Sequence, residues 1–486
     1  MKKIIQYLFV AGALLSLSSC EGFLNREPIS QLSPNLFWKT DDDVRSAQAA
    51  MYSSLATTLS QMYFDWGETR GCLYGPFMSS ASVEELMSHD MPDNNGACNW
   101  TNLYKVINRA GLIIKYVPEM SGGSASVKNN AVGQAYATRA LAYFYAVRVW
   151  GGVPLFKEAV ESYNPSEHLM ERATAEEVLA FVKEDLANAE KYLPEVAGTV
   201  DRVHMNMGEV YALEMEVAAW EHNYTEAVSI FENKIKNLSA VFAFTEFTPS
   251  VETDSDLATW EDRWRAIVRD DGGEKEIFFA VKYDYNVDGN ENSALNWIGR
   301  SGERLCIPNS KVNGTTNAAG DHDYTAEGPL FETGDIRRTG TLSLIGGERD
   351  ETRVIKFWPT GFDADAIRSD NDFIINRYSD LVLLYAEALN ETGKSAQAIE
   401  QVNRIRTRAN LAALPSTLSK AQTAEAVLKE RKLELIGEGK YWFDLVRTGN
   451  TAKAVPMGSA TGCPADKILF KIHRDHLAQN PKLVQN

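Results

Sequence analysis

Apolar residues recur at three- and four-residue steps over most of this chain, most clearly between 377 and 411. Leu381, Leu384, Tyr385, Ala388 and Leu389 form one helical stripe, and Ala398, Ile399, Val402 and Ile405 form a second. Gly393 lies between them where a left-handed C-cap residue is wanted, and Ser395 is placed to cap the second helix. Ala386, Leu389, Ala398 and Val402 fall where a tetratricopeptide unit sets its small and large contact residues. Such a hairpin cannot bury its apolar face alone, so the pattern predicts partner hairpins elsewhere.

The same rhythm predicts helices over 40–59, 100–117, 130–150, 174–192, 205–221, 224–238 and 423–437. Thr40 with Asp41, Asp42 and Asp43 reads as a cap rather than a metal cluster, because acids in a first turn complement the helix dipole. Thr174 and Glu177 have capping-box spacing. Gly151, Gly152 and Pro154 end the helix before them. Met215 and Ala227 stand twelve apart, as Ala386 and Ala398 do, which suggests a repeated hairpin. The stretch 60–99 is rich in Gly and aromatics without periodicity and reads as loop. From 242 to 374 the helical rhythm fails, leaving β-like runs at 276–283 and 352–358 between Gly/Asn/Asp loops. The expected fold is mainly α, with tetratricopeptide-like helical pairs forming a scaffold and a loop-rich, partly β region inserted. The scaffold spans 39–240 and 375–450, and the loop-rich region about 241–374.

The ends of the chain add an address. Lys2 and Lys3 precede an apolar run from Ile4 to Leu17 that is too short to span a bilayer. Leu17-Ser18-Ser19-Cys20 then resembles a bacterial lipobox, against the alternative of an ordinary secretory signal with a chance cysteine. This reading makes 1–19 a signal peptide and 20–38 a tether lipidated at Cys20, since two or more acyl chains anchor stably. Four cysteines remain: Cys72, Cys98, Cys306 and Cys463. Their even number in an exported chain permits disulfides, with Cys72 and Cys98 the nearer pair, and buried free thiols explain them equally well. They match no zinc spacing. The net charge of −17 argues against nucleic acid, because no concentrated basic patch exists to meet phosphates.

Several segments together resemble the SusD/RagB family of outer-membrane lipoproteins of Bacteroidota. They are the lipobox followed by Phe23 and Leu24, R-A-L-A-Y-F-Y-A-V-R-V-W-G-G-V-P-L-F, R-Y-S-D-L-V-L-L-Y-A-E-A-L-N-E, E-R-K-L-E-L-I-G-E-G-K-Y-W-F-D-L-V-R-T-G, and the closing N-P-K-L-V-Q-N. They span the mature chain in the family's order. The resemblance implies a SusD-like α/α superhelix over 39–486, glycan binding in a loop-rich face, and a SusC-like TonB-dependent transporter as partner. It departs from the family in one respect. Surface lipoproteins of this phylum often carry several acids after the cysteine, and here only Glu21 and Glu27 are close.

A sugar binder needs flat apolar area for C–H faces and planar polar groups for hydroxyls. Aromatic and planar polar residues in loops or at loop junctions are therefore the candidate ligand contacts: Trp66, Arg70, Asn99, Trp100, Tyr285 and Trp297. For each aromatic the competing reading is packing against the scaffold. Trp150, Trp220 and Trp442 lie in helical patterns and are assigned to the core; Trp260, Trp264 and Trp358 fit either role. Asp284, Asn286, Asp288 and Gly289 match the first half of a calcium loop. Leu295 stands where the closing Glu belongs, and an Asp-Gly turn explains the same residues. Asp321–Asp323 is a lesser acidic loop, and His473 and His476 read as solvated tail residues.

The sequence contains no nucleophile elbow, metalloprotease helix or phosphate loop, and no pair of acids is singled out for glycoside hydrolysis. The expectation is a non-enzymatic, cofactor-free, cell-surface lipoprotein that captures oligosaccharides for a transporter. The alternatives are a helical-repeat protein-interaction scaffold without its own sugar site, capture of a non-glycan nutrient such as peptide, and, more weakly, a surface glycoside hydrolase.

Overall fold

The structure is a computed structural model, and it describes residues 37–76, 81–161, 164–269, 275–284, 292–299, 305–308, 330–344, 351–357, 371–456 and 459–486. In chain order the helices are α1 (Asp41–Gly67), α2 (Ala81–Met87), α3 (Thr101–Tyr116), α4 (Ala125–Trp150), α5 (Ala175–Tyr192), α6 (Met207–Trp220), α7 (Tyr224–Ile230) and α8 (Asp254–Ala266). There follow α9 (Ser293–Gly299), α10 (Arg337–Thr341), α11 (Tyr378–Glu391), α12 (Ser395–Arg408), α13 (Lys420–Glu434), α14 (Tyr441–Arg447) and α15 (Arg474–Gln479). Strands β1 (Gly75–Pro76), β3 (Leu305–Pro308), β5 (Glu351–Val354) and β4 (Leu342–Leu344) form one sheet in that order, and β2 (Ile277–Val281) pairs with β6 (Phe373–Arg377).

The repeated hairpin is present. Met215, Ala227, Ala386 and Ala398 are all fully buried in one apolar cluster, so α6–α7 stacks against α11–α12 through the positions that share the twelve-residue spacing. Gly393 has φ +82, the left-handed cap its position predicts. Ser395 behaves differently from expectation. It begins α12 rather than capping it, and its hydroxyl donates to Asn390 Oδ1 at 2.7 Å, tying the turn to the first helix.

Other elements depart from the sequence reading, among them the short helices α2 within 60–99 and α9 and α10 within 242–374. α1 continues through 60–67, which read as loop. Tyr63, Phe64, Asp65 and Trp66 are all buried there, and a helix enclosed on every side shows no amphipathic period. α4 begins at Ala125, earlier than expected. α7 gives way at Phe231 to a π turn and then a 3-10 turn. α8 lies inside the stretch expected to lack helix, with Thr253 and Asp256 forming a capping box. Trp264 of α8 is buried, whereas Trp260 is half-buried and stacks on Phe247 at 5.4 Å. The strand expected over 276–283 is the fully buried β2.

The end of α1 is wedged against the α13–α14 turn. A Cβ on Gly67 would lie 1.9 Å from the Gly439 carbonyl oxygen, so only glycine allows this approach. That turn and α13 also organise a buried ion network. Arg377 meets Glu434 at 2.9 Å and Glu438 at 2.9 Å, Arg408 meets Glu434 at 2.8 Å, and Arg337 meets Glu430 at 2.9 Å. Lys356, just after β5, pairs with Glu438. These charges are paired on several sides, as burial requires, and removing one partner of such a pair typically costs about 3–5 kcal/mol.

Candidate functional site

The candidates at the end of α1 and the start of α3 are drawn into the interior of the protein. Trp66 is fully buried, and its indole N–H donates to the Ala97 carbonyl at 2.9 Å. Trp66 and Trp100 both lie edge-on to Trp150, with ring centres 5.3 and 5.5 Å away. Arg70 is 2% exposed, donates to the Ile468 carbonyl at 2.6 Å and lies over the Trp442 and Phe470 rings. Burial lowers its pKa to about 10. Trp66, Arg70 and Trp100 are therefore buried against other side chains, the two tryptophans on Trp150 and Arg70 on Trp442 and Phe470, where the sequence expected exposed loop positions. Flanking glycines suggested an open loop; here Gly67 lets backbone approach the Gly439 backbone and Gly71 makes room for the Tyr441 ring. Asn99 is half-buried, and its side-chain oxygen accepts the Thr101 N–H at 2.9 Å, a local bond at the start of α3.

The tail histidines also change role. His476 stacks on Trp100 at 4.9 Å and accepts the Trp100 N–H at 3.2 Å, and burial lowers its pKa to about 4. His473 caps α15. Cys72, Cys98 and Cys463 are buried free thiols, and burial pushes Cys98 up to about 12, which keeps it protonated.

Glu68 was not selected from the sequence. Its carboxylate is fully buried and accepts the Gly437 N–H at 3.1 Å and the Tyr74 hydroxyl at 3.3 Å. Burial raises its pKa to about 7 against these donors.

The loop-rich region is fastened to the same helix α1. Tyr63 OH donates to Asn292 Oδ1 at 3.3 Å, and Asn292 Nδ2 donates to the Asn371 carbonyl at 3.3 Å. Asn371 Nδ2 donates in turn to the Phe357 carbonyl at 2.5 Å. The Ser293 N–H donates to Ser60 Oγ at 3.2 Å, and the Tyr283 hydroxyl donates to the Ala56 carbonyl at 3.0 Å. Tyr283, Asn292 and Ser293 are thus bonded to 56–63, and Asn371 and Phe357 are joined to them through Asn292. α9, whose backbone carries Trp297, starts at this junction and buries Ala294, Leu295 and Ile298. Pairing of Gly75 with Cys306 and of Ile307 with Thr352 draws the segment after α1 to the same region.

Tyr285, Asn286, Asp288, Trp358 and Asp321–Asp323 lie outside the described residues, as does the side chain of Trp297. Leu295, where a calcium loop needs its closing acid, is buried on α9. Among the described residues no cluster of His, Cys, Asp and Glu fits a metal ion.

A separate cleft of ≈ 350 Å³ lies between α3 and the extended segment after α4. Tyr104, Ile107, Phe156 and Val160 supply its apolar surface, with Thr101, Lys105 and Glu158 among its polar lining. Tyr104 OH donates to the Pro154 carbonyl at 2.6 Å, and the Asn108 amide bonds both the N–H and the carbonyl of Val160 at 2.7 and 3.1 Å. These bonds hold the two walls in place. The only hint in the sequence is an aromatic at Tyr104 beside, not within, the inward stripe.

Comparison with known proteins resolves the kinship. The SusD family model matches residues 312–463, and a second model, described as starch-binding associating with outer membrane, matches 23–214. The SusD-like protein P38 of Formosa agariphila is 30% identical, with 97% of this chain and 96% of that protein covered. This chain belongs to the SusD/RagB family. A second SusD-like protein of Formosa agariphila, P25, is 24% identical over 92% of this chain and 90% of its own length. Among solved structures, a SusD homolog from Bacteroides thetaiotaomicron superposes with a TM-score of 0.73 at 20% identity, covering 92% of this chain and 98% of that one. NanU of B. fragilis superposes at 0.70 with 23% identity, covering 94% and 99%. At these identities the superpositions establish the fold alone. Membership places the chain among glycan-binding proteins associated with the outer membrane and not among enzymes.

Proposed function

We propose that this SusD-like protein is a lipoprotein, anchored through Cys20 and facing the cell exterior, that captures oligosaccharides and passes them to a SusC-like TonB-dependent transporter. Kinship with SusD-like proteins over nearly the whole chain carries the reading. Ligand contact falls to the loop-rich half, with Tyr285 and Trp297 as its aromatic surfaces. The bonds of Tyr283, Asn292 and Ser293 to α1 support this placement, because a rigid base reduces the ordering cost of binding a heavily hydrated sugar. Asn99 remains a candidate polar contact at the edge of α3. Trp66, Arg70 and Trp100 serve as buried support.

Affinity electrophoresis through gels containing starch, xylan, β-glucan or mannan tests the assignment. The wild-type chain should be retarded by at least one polysaccharide, and Trp297→Ala and Tyr285→Ala should each weaken retardation about tenfold in affinity, the order expected for losing a stacked ring and its burial. Retardation unchanged in both variants would remove the loop-rich half from the ligand site.

A further inference from the structure

We propose that the cleft between α3 and the segment 153–161 is a second carbohydrate contact, taking a one- or two-ring segment of a neutral oligosaccharide. The proposal rests on the glycan-binding reading above but concerns a surface built from other residues. Tyr104 and Phe156 meet edge to face, with ring centres 5.9 Å apart, and both are half-buried, so part of each ring remains accessible. With half-buried Val160 they make an apolar floor suited to sugar C–H groups, backed by the buried Ile107. Thr101, Lys105 and Glu158 are exposed at the rim, where hydroxyl, ammonium and carboxylate match the mixed donors and acceptors of sugar hydroxyls.

The size is appropriate. The cleft, ≈ 350 Å³, sits at the lower end of small-molecule sites, which run from about 300 to 1,000 Å³. It fits a short stretch of sugar rather than a protein helix. Its walls are preorganised, because Tyr104 and Asn108 spend their polar atoms on Pro154 and Val160 rather than on a ligand. The cleft's own lining mixes Lys105 and Arg109 with Glu158, a near-balanced set that suits a ligand without net charge. A contact here, on the scaffold, would give a long glycan a second hold and raise its apparent affinity over a short one.

Hydrogen exchange of the mature chain, with maltoheptaose and the corresponding cello-, xylo-, manno- and laminari-oligosaccharides as probes, separates the two surfaces. The proposal expects a binding oligosaccharide to protect peptides from 101–109 and 153–161 as well as those from 292–299. Protection confined to 292–299 overturns the second contact and leaves the function standing. Protection confined to the cleft keeps the second contact and removes the loop-rich site. No protection by any probe overturns both. Phe156→Ala should weaken binding of the longest oligosaccharide on the order of fivefold and leave a disaccharide nearly unaffected. Because Phe156 is half-buried, Glu158→Ala provides a fully surface variant, with a loss of two- to threefold expected in the same assay. Unchanged binding of the long probe by Glu158→Ala and by a folded Phe156→Ala contradicts the proposal.

Discussion

Trp66 lies between Trp150 and the Ala97 carbonyl, wholly out of water. Replacing it with alanine leaves a cavity and an unpartnered carbonyl, and should cost about 3–5 kcal/mol. Chemical denaturation should show that loss, while the glycan affinity of the protein still folded in buffer stays within about twofold of wild type. A selective loss of binding at unchanged stability would return Trp66 to the ligand site.

Glu68 carries a second prediction at the same scale. Its folded pKa of about 7 lies above the 4.5 of an ordinary glutamate, so between these values the folded state holds a proton that the unfolded chain releases. Stability therefore declines as pH rises from 4.5 to 7 and stays lowered above that. Glu68→Gln keeps an acceptor for the Gly437 N–H and removes the titration. Thermal unfolding should find the variant more stable than wild type at pH 8, by up to about 3 kcal/mol, with the gap closing towards pH 5. A gap that does not change with pH would show that Glu68 stays ionised in the fold.

At the level of elements, the hairpin α11–α12 illustrates what a sequence reveals. Leu381, Ala388, Ala398 and Val402 lie on apolar faces opposite polar positions, and all four are fully buried. Ala388→Asp puts an unpaired charge into that contact and should abolish cooperative unfolding at room temperature. A variant with the wild-type melting midpoint would contradict the stacked hairpins. α1 illustrates what a sequence hides. Its last turn, Tyr63 to Gly67, is buried on all sides, and its partners Asn292 and Gly439 lie more than 200 residues away, so no local period marks it. α8 carried a capping box that was legible at Thr253 and Asp256, yet its surroundings read as loop.

Across the whole molecule, the helical scaffold and its repeat were legible because burial there follows a fixed step along the chain. The site was less so. Trp66, Arg70 and Trp100 have the residue types and glycine neighbours of a sugar site, and only three-dimensional packing shows that their faces are used within the protein. The cleft at Tyr104 and Phe156 joins residues 52 apart that no motif connects. Charges too were hidden. Glu276, Arg377, Arg408, Glu434 and Glu438 look like ordinary surface residues in the sequence, but they meet in a buried network that ties β2, β6, α12 and the α13–α14 turn together.

The central claim is that this SusD-like chain binds glycan directly. Calorimetric titration of the mature protein with neutral oligosaccharides from starch, cellulose, xylan, mannan and β-glucan tests it most directly. The account predicts saturable binding of at least one of them, with a Kd on the order of micromolar to millimolar and no release of shorter products. No heat from any glycan, with a TonB-dependent transporter still co-purifying, would contradict it in favour of a scaffold without a sugar site; product release would reveal a hydrolase.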